Sequence, residues 1–404
     1  MSFTGILLST RLITCVIAVA WFSATLRIPL HAQTFTVLHL ASRNSGNFGT
    51  GELLQGPGGA LFGTTQSGGT GTNCNHGQAT GCGTVYQLSR TGKYRVLYSF
   101  LGFPDGEGPQ SGVVRDSAGN LYGTTCAGGP YLGAYGTVFK LDATGKETIL
   151  YAFTGGADGE FPNAGLVRDQ VGNLYGTTTL GGPYQSGTIF KLDPGGNETV
   201  LHAFTGASDG RLPQGPLVLD TGGNLYGTTY QGGDLTCGSF FGCGVVFKID
   251  AAGSFNVLHT FKLSDGASPY VGLARDSQGN LYGTTAFGGT RDYGVIFEID
   301  TAGNYSILYN FNLNKVGINP GEVVVDPQGL LYATTTGSAG GSGTILKLNS
   351  TGTATVLHTF ENSDGAAPFR LLFTKSGVLY GSTLEGGVGG CLQGGCGVIF
   401  SITP

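Results

Sequence analysis

Five aspartates stand in the same short context, D-G-x-x-P, at Asp105, Asp158, Asp209, Asp265 and Asp364. Carboxylates repeated at one structural position could ring a channel mouth and take up Ca²⁺ or a cationic partner. They could equally cap the backbone of the Asp-Gly turns in which they sit, and such regular recurrence favours that role. Ser45 and Val316 occupy the corresponding places in two further segments, so a complete ring of acids is not available. A second set is aromatic: Tyr131, Tyr135, Tyr184, Tyr230, Phe240, Phe241, Phe287 and Tyr293 lie in or beside glycine-rich segments. Exposed rings there can stack on sugars or anchor a protein partner, and the alternative is that they pack over the loop glycines.

Acids that occur in only one segment each, namely Asp234, Asp292, Glu385, Glu107 and Glu160, are the material for a glycosidase or lyase pair. Histidine chemistry is poorly supplied. His39, His202, His259 and His358 occupy a place that Tyr98, Tyr151 and Tyr309 take in other segments, which points to packing, and only His76 is a free loop histidine. The Gly-Gly pairs, such as Gly128-Gly129, precede no helix and are not phosphate loops, and nothing resembles a nucleophile elbow. No residue is assigned to catalysis, to a metal or to a cofactor. Six cysteines form close pairs, Cys74 with Cys82, Cys237 with Cys243 and Cys391 with Cys396. They read as local disulfides of an exported protein, with a metal site as the rival, and Cys126 is left as a free thiol.

These residues are carried by a repeat. The string LYGTT or a near copy begins at Leu61, Leu121, Leu174, Leu225, Leu281, Leu331 and Leu379, giving seven units of about 53 residues. Each unit holds four strand-like runs. In the third they are 165–169, 173–178, 187–193 and 198–204, separated by D-x-x-G turns and rich in β-branched and aromatic residues. The 75 glycines among 404 residues suit turns and oppose helices. Seven units of four antiparallel strands predict an all-β, seven-bladed β-propeller over residues 33–404. The chain enters this pattern inside a fourth-type run (34–41) and leaves it inside a third-type run (397–402). The N-terminal strand is therefore expected to complete the last blade, which removes two open edges.

The units resemble the GloVer tandem repeats of exported bacterial proteins that carry different C-terminal anchors. The resemblance rests on GNLYGTT, a Gly-Gly pair, GTVFKLD, a Gly turn and VLYxF, complete from Gly119 to Phe153. It implies export and no established activity, and this chain departs from the family by showing no recognisable C-terminal anchor.

Residues 1–32 read as a signal peptide, with the apolar run 12–26 behind Arg11 and a small residue, Ala32, at the expected cleavage point. The protein is then expected in the extracellular space or cell envelope, as a monomer with no membrane span in its mature part. A net charge of −5 without a run of bases argues against nucleic acid. The loops after the second and fourth runs open on one face and vary in length, from residues 66–82 in the first unit to 336–342 in the sixth. Binding of a protein or polysaccharide through that face is the leading expectation. A carbohydrate-active hydrolase or lyase using the loop acids, and a structural repeat protein of the envelope, are the alternatives.

Overall fold

The computed structural model describes Gln33–Pro404 except for residues 43–44, 47–50, 75–80, 131–134, 238–240, 339–340 and 388–394. The expected signal peptide thus lies outside the described residues. The compact unit begins at Gln33. Seven four-stranded antiparallel sheets follow one another, and no α-helix occurs among the described residues. Blade 3 shows the order from inside to outside: Val167–Arg168, Leu174–Thr178, Thr188–Leu192 and Glu198–Ala203. In blade 7 the outermost strand is Thr34–Leu40, which pairs with Val398–Thr403 from Thr34 opposite Thr403 to Leu40 opposite Val398. The predicted closure by the N-terminal strand is therefore present.

Each letter of the repeated motif has a mechanical reason. The tyrosine of LYGTT donates its hydroxyl to the aspartate that opens the preceding turn, as in Tyr175 to Asp169 at 3.1 Å and Tyr226 to Asp220 at 3.1 Å. That aspartate also accepts from the backbone and side chain of the turn asparagine, which holds its carboxyl below the ordinary range despite partial burial. The first threonine reaches across to the next blade, where Thr64 donates to the Ser111 carbonyl at 2.6 Å and Thr284 to the Gly321 carbonyl at 2.8 Å. The second threonine stays within its blade and shares a hydrogen bond with the first residue of the third strand, Thr178 with Thr188 at 2.9 Å.

Phenylalanines make the seams between blades. The residue ending each VLYxF run packs edge-on against the third strand of the next blade: Phe100 on Phe139 at 5.0 Å, Phe153 on Phe190 at 5.2 Å, and Phe261 on Phe297 at 5.2 Å. All six are buried to 1% exposure or less. The motif glycine leaves room for the ring. A Cβ on Gly176 would stand 2.7 Å from Cζ of Phe190, the residue it faces across the sheet. Blade 6 solves the same contact differently, with Ala333 opposite Leu346.

Gly176→Ala is therefore expected to cost about 1–3 kcal/mol through overpacking. Adding Phe190→Leu, which copies the blade 6 pair, should recover most of that loss. Chemical denaturation of the two single variants and the double variant measures the coupling, and strict additivity would contradict the steric reading.

Candidate functional site

The variable loops stand at one end of the strands, and their shape is held by backbone ladders and cross-links. Cys74 is bonded to Cys82 and Cys237 to Cys243. Cys396 is disulfide-bonded as well, while Cys391, its expected partner, lies outside the described residues. Each bridge closes a short loop and contributes roughly 2 kcal/mol on a chain-entropy basis. Disulfides of this number indicate an oxidising environment. Cys126 is a free, buried thiol whose pKa burial pushes up to about 12, which makes it unreactive.

The five aspartates of D-G-x-x-P are engaged in their own turns. Asp105 accepts from the Leu101 and Gly106 amides, and Asp158 from the Thr154 amide and hydroxyl. Asp209, Asp265 and Asp364 accept from the amides of Thr205, Lys262 and Glu361. In each of them Oδ2 faces the outermost strand of the blade. There it meets Tyr98 at 2.9 Å, Tyr151 at 3.1 Å, His202 at 3.1 Å, His259 at 3.4 Å and His358 at 2.9 Å. Three residues beyond each of these aspartates, the residue before the proline takes a left-handed backbone, as at Phe161, Leu212 and Ser268. Its amide and carbonyl bridge two blades, with Leu212 donating to Ser186 and accepting from Tyr230.

The interchange of His and Tyr on the outermost strand follows the neighbouring blade in six of the seven blades; in blade 5, Tyr309 faces a blade with Ala354 at that place. Where the residue is histidine, the next blade presents an aromatic ring stacked on it: Phe255 on His202 at 3.8 Å, Tyr305 on His259 at 3.8 Å and Phe35 on His358 at 3.7 Å. Blade 7 lacks the aspartate, and His39 stacks on Tyr94 at 4.0 Å. Burial lowers the His39 and His202 pKa values, the latter against the opposing pull of Asp209. Where the residue is tyrosine, in blades 1 and 2, the next blade presents Glu147 or Glu198. Burial, followed by the charge of Asp105 or Asp158, raises these two carboxyls to about 7.

Between the ordinary value of 4.5 and about 7, the folded chain holds protons at Glu147 and Glu198 that the unfolded chain has released, so these groups make stability fall as pH rises. Glu147→Gln with Glu198→Gln should therefore raise the melting temperature more at pH 8 than at pH 5. Thermal scans of the variant and the parent across that interval give the difference, and a gain independent of pH would contradict the assignment.

The aromatic candidates divide into two groups. Tyr135 and Phe287 are partly buried against blade cores, and Phe287 is paired through its backbone with Ala267. Tyr230 is half-buried. Tyr184 is 59% exposed, Phe241 68% and Tyr293 37%. These three belong to the adjacent blades 3, 4 and 5, and Leu235 and Leu263 of blade 4 are exposed among the same loops. The Arg211 guanidinium lies over the Phe241 ring at 5.4 Å. Tyr131, Phe240 and His76 lie outside the described residues. The unit-specific acids serve local turns: Asp234 accepts from Thr236, and Asp292 from the Gly288 amide. Glu107 is buried and paired in a small ladder with Ala127, whereas Glu160 and Glu385 take part in loop pairings through their backbones.

A charged group that the residue types alone did not single out sits on the innermost strands. Arg370 is 6% exposed, and its Nη1 stands 3.1 Å from Glu52 and 3.9 Å from Glu322. Each glutamate also caps the inner strand of the following blade, Glu52 through the Gly112 amide at 2.8 Å and Glu322 through the Leu371 amide at 3.0 Å. Burial pushes Glu322 up to about 7, with Arg370 opposing and Glu52 adding to the shift. A readable signal existed. Aligned on the inner strands, the other four blades hold Gly112, Gly165, Pro216 and Gly272 at this place. Beside the group, Tyr270 donates to the Pro320 carbonyl and stacks on Phe369.

This architecture defines a disulfide-containing seven-bladed β-propeller with one loop-rich face. The Gloeobacter/Verrucomicrobia repeat family matches over residues 25–241 and 237–404, and the chain belongs to that family. No curated protein matches the chain. Among solved structures, it is similar to a putative 6-phosphogluconolactonase from Bacteroides uniformis. The identity is 15%, with 82% of this chain and 89% of the other covered and a TM-score of 0.51. It is also similar to the PQQ-bound aldose sugar dehydrogenase of Streptomyces coelicolor, at 13% identity, 92% and 98% coverage and a TM-score of 0.46. A gluconolactonase from Xanthomonas campestris matches at 12% identity, 93% and 90% coverage and a TM-score of 0.44. At these identities the likeness concerns the fold alone.

Proposed function

We propose that this protein is an exported propeller that binds a protein or polysaccharide through its loop-rich face, after removal of residues 1–32. The observation that carries the reading is the exposure of Tyr184, Phe241 and Tyr293 on three adjacent blades, with Leu235 and Leu263 exposed on loops of blade 4. Large apolar side chains held in water are the usual material of a recognition surface. The Cys237–Cys243 bridge and the ladders beneath the loops favour this use, because they reduce the entropy lost on binding. The carboxylates of Asp234 and Asp292 are tied into their own turns, which supports binding over hydrolysis. The D-G-x-x-P aspartates, already engaged with backbone amides, act as the supports of the face, and Ca²⁺ is not required for that role.

The test incubates the mature protein with a panel of insoluble polysaccharides, following protein depletion and release of soluble sugar together. Depletion without release, lost on combining Tyr184→Ala, Phe241→Ala and Tyr293→Ala, is the expected result for a polysaccharide ligand. For a protein ligand, affinity capture from the producing cell's surface fraction should be lost in the same triple variant. Release of sugar would overturn the binding reading and direct attention to Asp234, Asp292 and Glu385.

A further inference from the structure

On the face opposite the variable loops, blade 1 departs from its siblings. In blades 2 to 5 both short turns open with an aspartate, Asp116 and Asp142 in blade 2, while the same places in blade 1 hold Gly56 and Ser89. Between Glu52 and Asp105 the sequence has no acid at all but has Arg90, Lys93 and Arg95. The tyrosine of LYGTT is also replaced, by Phe62. In an acidic protein these substitutions leave one blade edge positive.

The consequence is visible at the seam with blade 2. Arg115 ends the inner strand there, at the place Arg168 takes in blade 3. Arg168 lies over the Tyr122 ring at 5.9 Å, and the Tyr122 hydroxyl is bonded to Asp116, so an acid stands close to that guanidinium. Arg115 instead lines a groove whose wall includes Phe62. Shared with Arg95, this groove is about 320 Å³, larger than the 140 Å³ groove at the next seam. Phe62, Leu97 and Leu121 supply apolar wall, and Gln87 and Thr144 supply hydrogen-bonding groups. The one acid in the lining, Asp142, engages only its Oδ1, which accepts from the Thr144 and Lys146 amides and the Thr144 hydroxyl of its own turn. Among the described residues neither Arg95 nor Arg115 takes part in an ion pair.

We propose that this groove is a binding site for an acidic saccharide, a hexuronate residue or short oligouronide. The carboxylate is held by Arg95 and Arg115, and the C–H face of the ring rests on Phe62 and the leucines. Guanidinium groups suit a carboxylate because they offer a planar fork of donors. A mixed apolar and polar wall of this volume suits one or two sugar rings and not a bare inorganic anion. The site is separate from the loop-rich face and does not depend on the reading of that face.

The decisive experiment is calorimetric titration of the mature protein with trigalacturonate, with maltotriose and inorganic phosphate as controls. The variants are Arg115→Leu and Arg95→Thr, which copy Leu219 of blade 4 and Thr148 of blade 2 and so place residues the fold already accepts. Trigalacturonate should bind, more weakly at high salt, maltotriose should not bind, and the double variant should lose at least about tenfold in affinity. An unchanged melting temperature confirms that the double variant is folded. Absence of trigalacturonate binding, equal affinity in the double variant, or displacement by phosphate as effective as by galacturonate would overturn the proposal. The Tyr184→Ala, Phe241→Ala, Tyr293→Ala variant should bind trigalacturonate as the parent does, which keeps failure here distinct from failure of the loop-face reading.

Discussion

A chain that starts at Ser42 instead of Gln33 is expected to lose cooperative unfolding and to aggregate. The deletion removes the outermost strand of blade 7 and leaves Val398–Thr403 with a row of unpaired backbone groups. It also strips Phe35 and Val37 from the last blade's core and the Phe35 ring from its stack on His358. Phe35 and Val37 are partly buried, so each is worth less than the roughly 1.5–3 kcal/mol of full burial, but the pairing of a whole strand is lost with them, which is a large fraction of a domain's stability. The expected readout is loss of a single calorimetric transition and a rise in sedimenting species. A synthetic peptide spanning residues 33–42 should restore the transition in a saturable manner. An unaltered melting temperature in the truncated chain would show that closure by this strand does not hold the ring together. A milder probe, Val37→Asp, places a charge in the same seam and should act in the same direction.

The second large effect is expected at Arg370. Its guanidinium lies between two carboxylates contributed by the flanking blades, where solvent has little access. Removing one partner of a buried ionic group costs about 3–5 kcal/mol, because the remaining charge keeps its desolvation penalty without its attraction. Arg370→Met is therefore expected to destabilise by that amount at pH 8. Here the remaining pair carries two negative charges, which a lower pH relieves by protonating a carboxyl. The cost should shrink on going to pH 5, since Glu322 already titrates at about 7 with the arginine present. Adding Glu52→Gln and Glu322→Gln to Arg370→Met should recover much of the loss at pH 8. Denaturant titrations at the two pH values provide the check. A cost that does not change with pH would mean that the arginine contributes through packing on Phe369, over whose ring it lies at 4.9 Å, and not through its charge.

Arg370 also shows why the site was less legible than the fold. The repeat is periodic, so the strands, the turns and the closure follow from counting: LYGTT recurs because its tyrosine, glycine and threonines each make the same contact in successive blades. Departures from the period carry the individuality of the protein. Ala333 opposite Leu346 is a visible pair of departures whose compensation is understood only once the two residues are seen to face each other. Glu52, Glu322 and Arg370 lie more than 300 residues apart at the extremes, and only closure of the ring makes blades 6, 7 and 1 consecutive. The exchange of His for Tyr on the outermost strand likewise has its reason in the next blade, in Phe255, Tyr305 or Glu147.

By itself the sequence determined the blade number, the strand order, the closing strand and the cysteine pairs at 74–82 and 237–243. Those depend on local periodicity and short separations, which a linear reading can measure. Only the tertiary structure decided which aromatics are exposed, that the D-G-x-x-P aspartates reach the outer strands from their turns, and that arginines from two blades share one groove. Exposure, charge pairing and cavities depend on which elements lie side by side across a seam, and in a ring of repeats that is a property of packing and not of any one repeat.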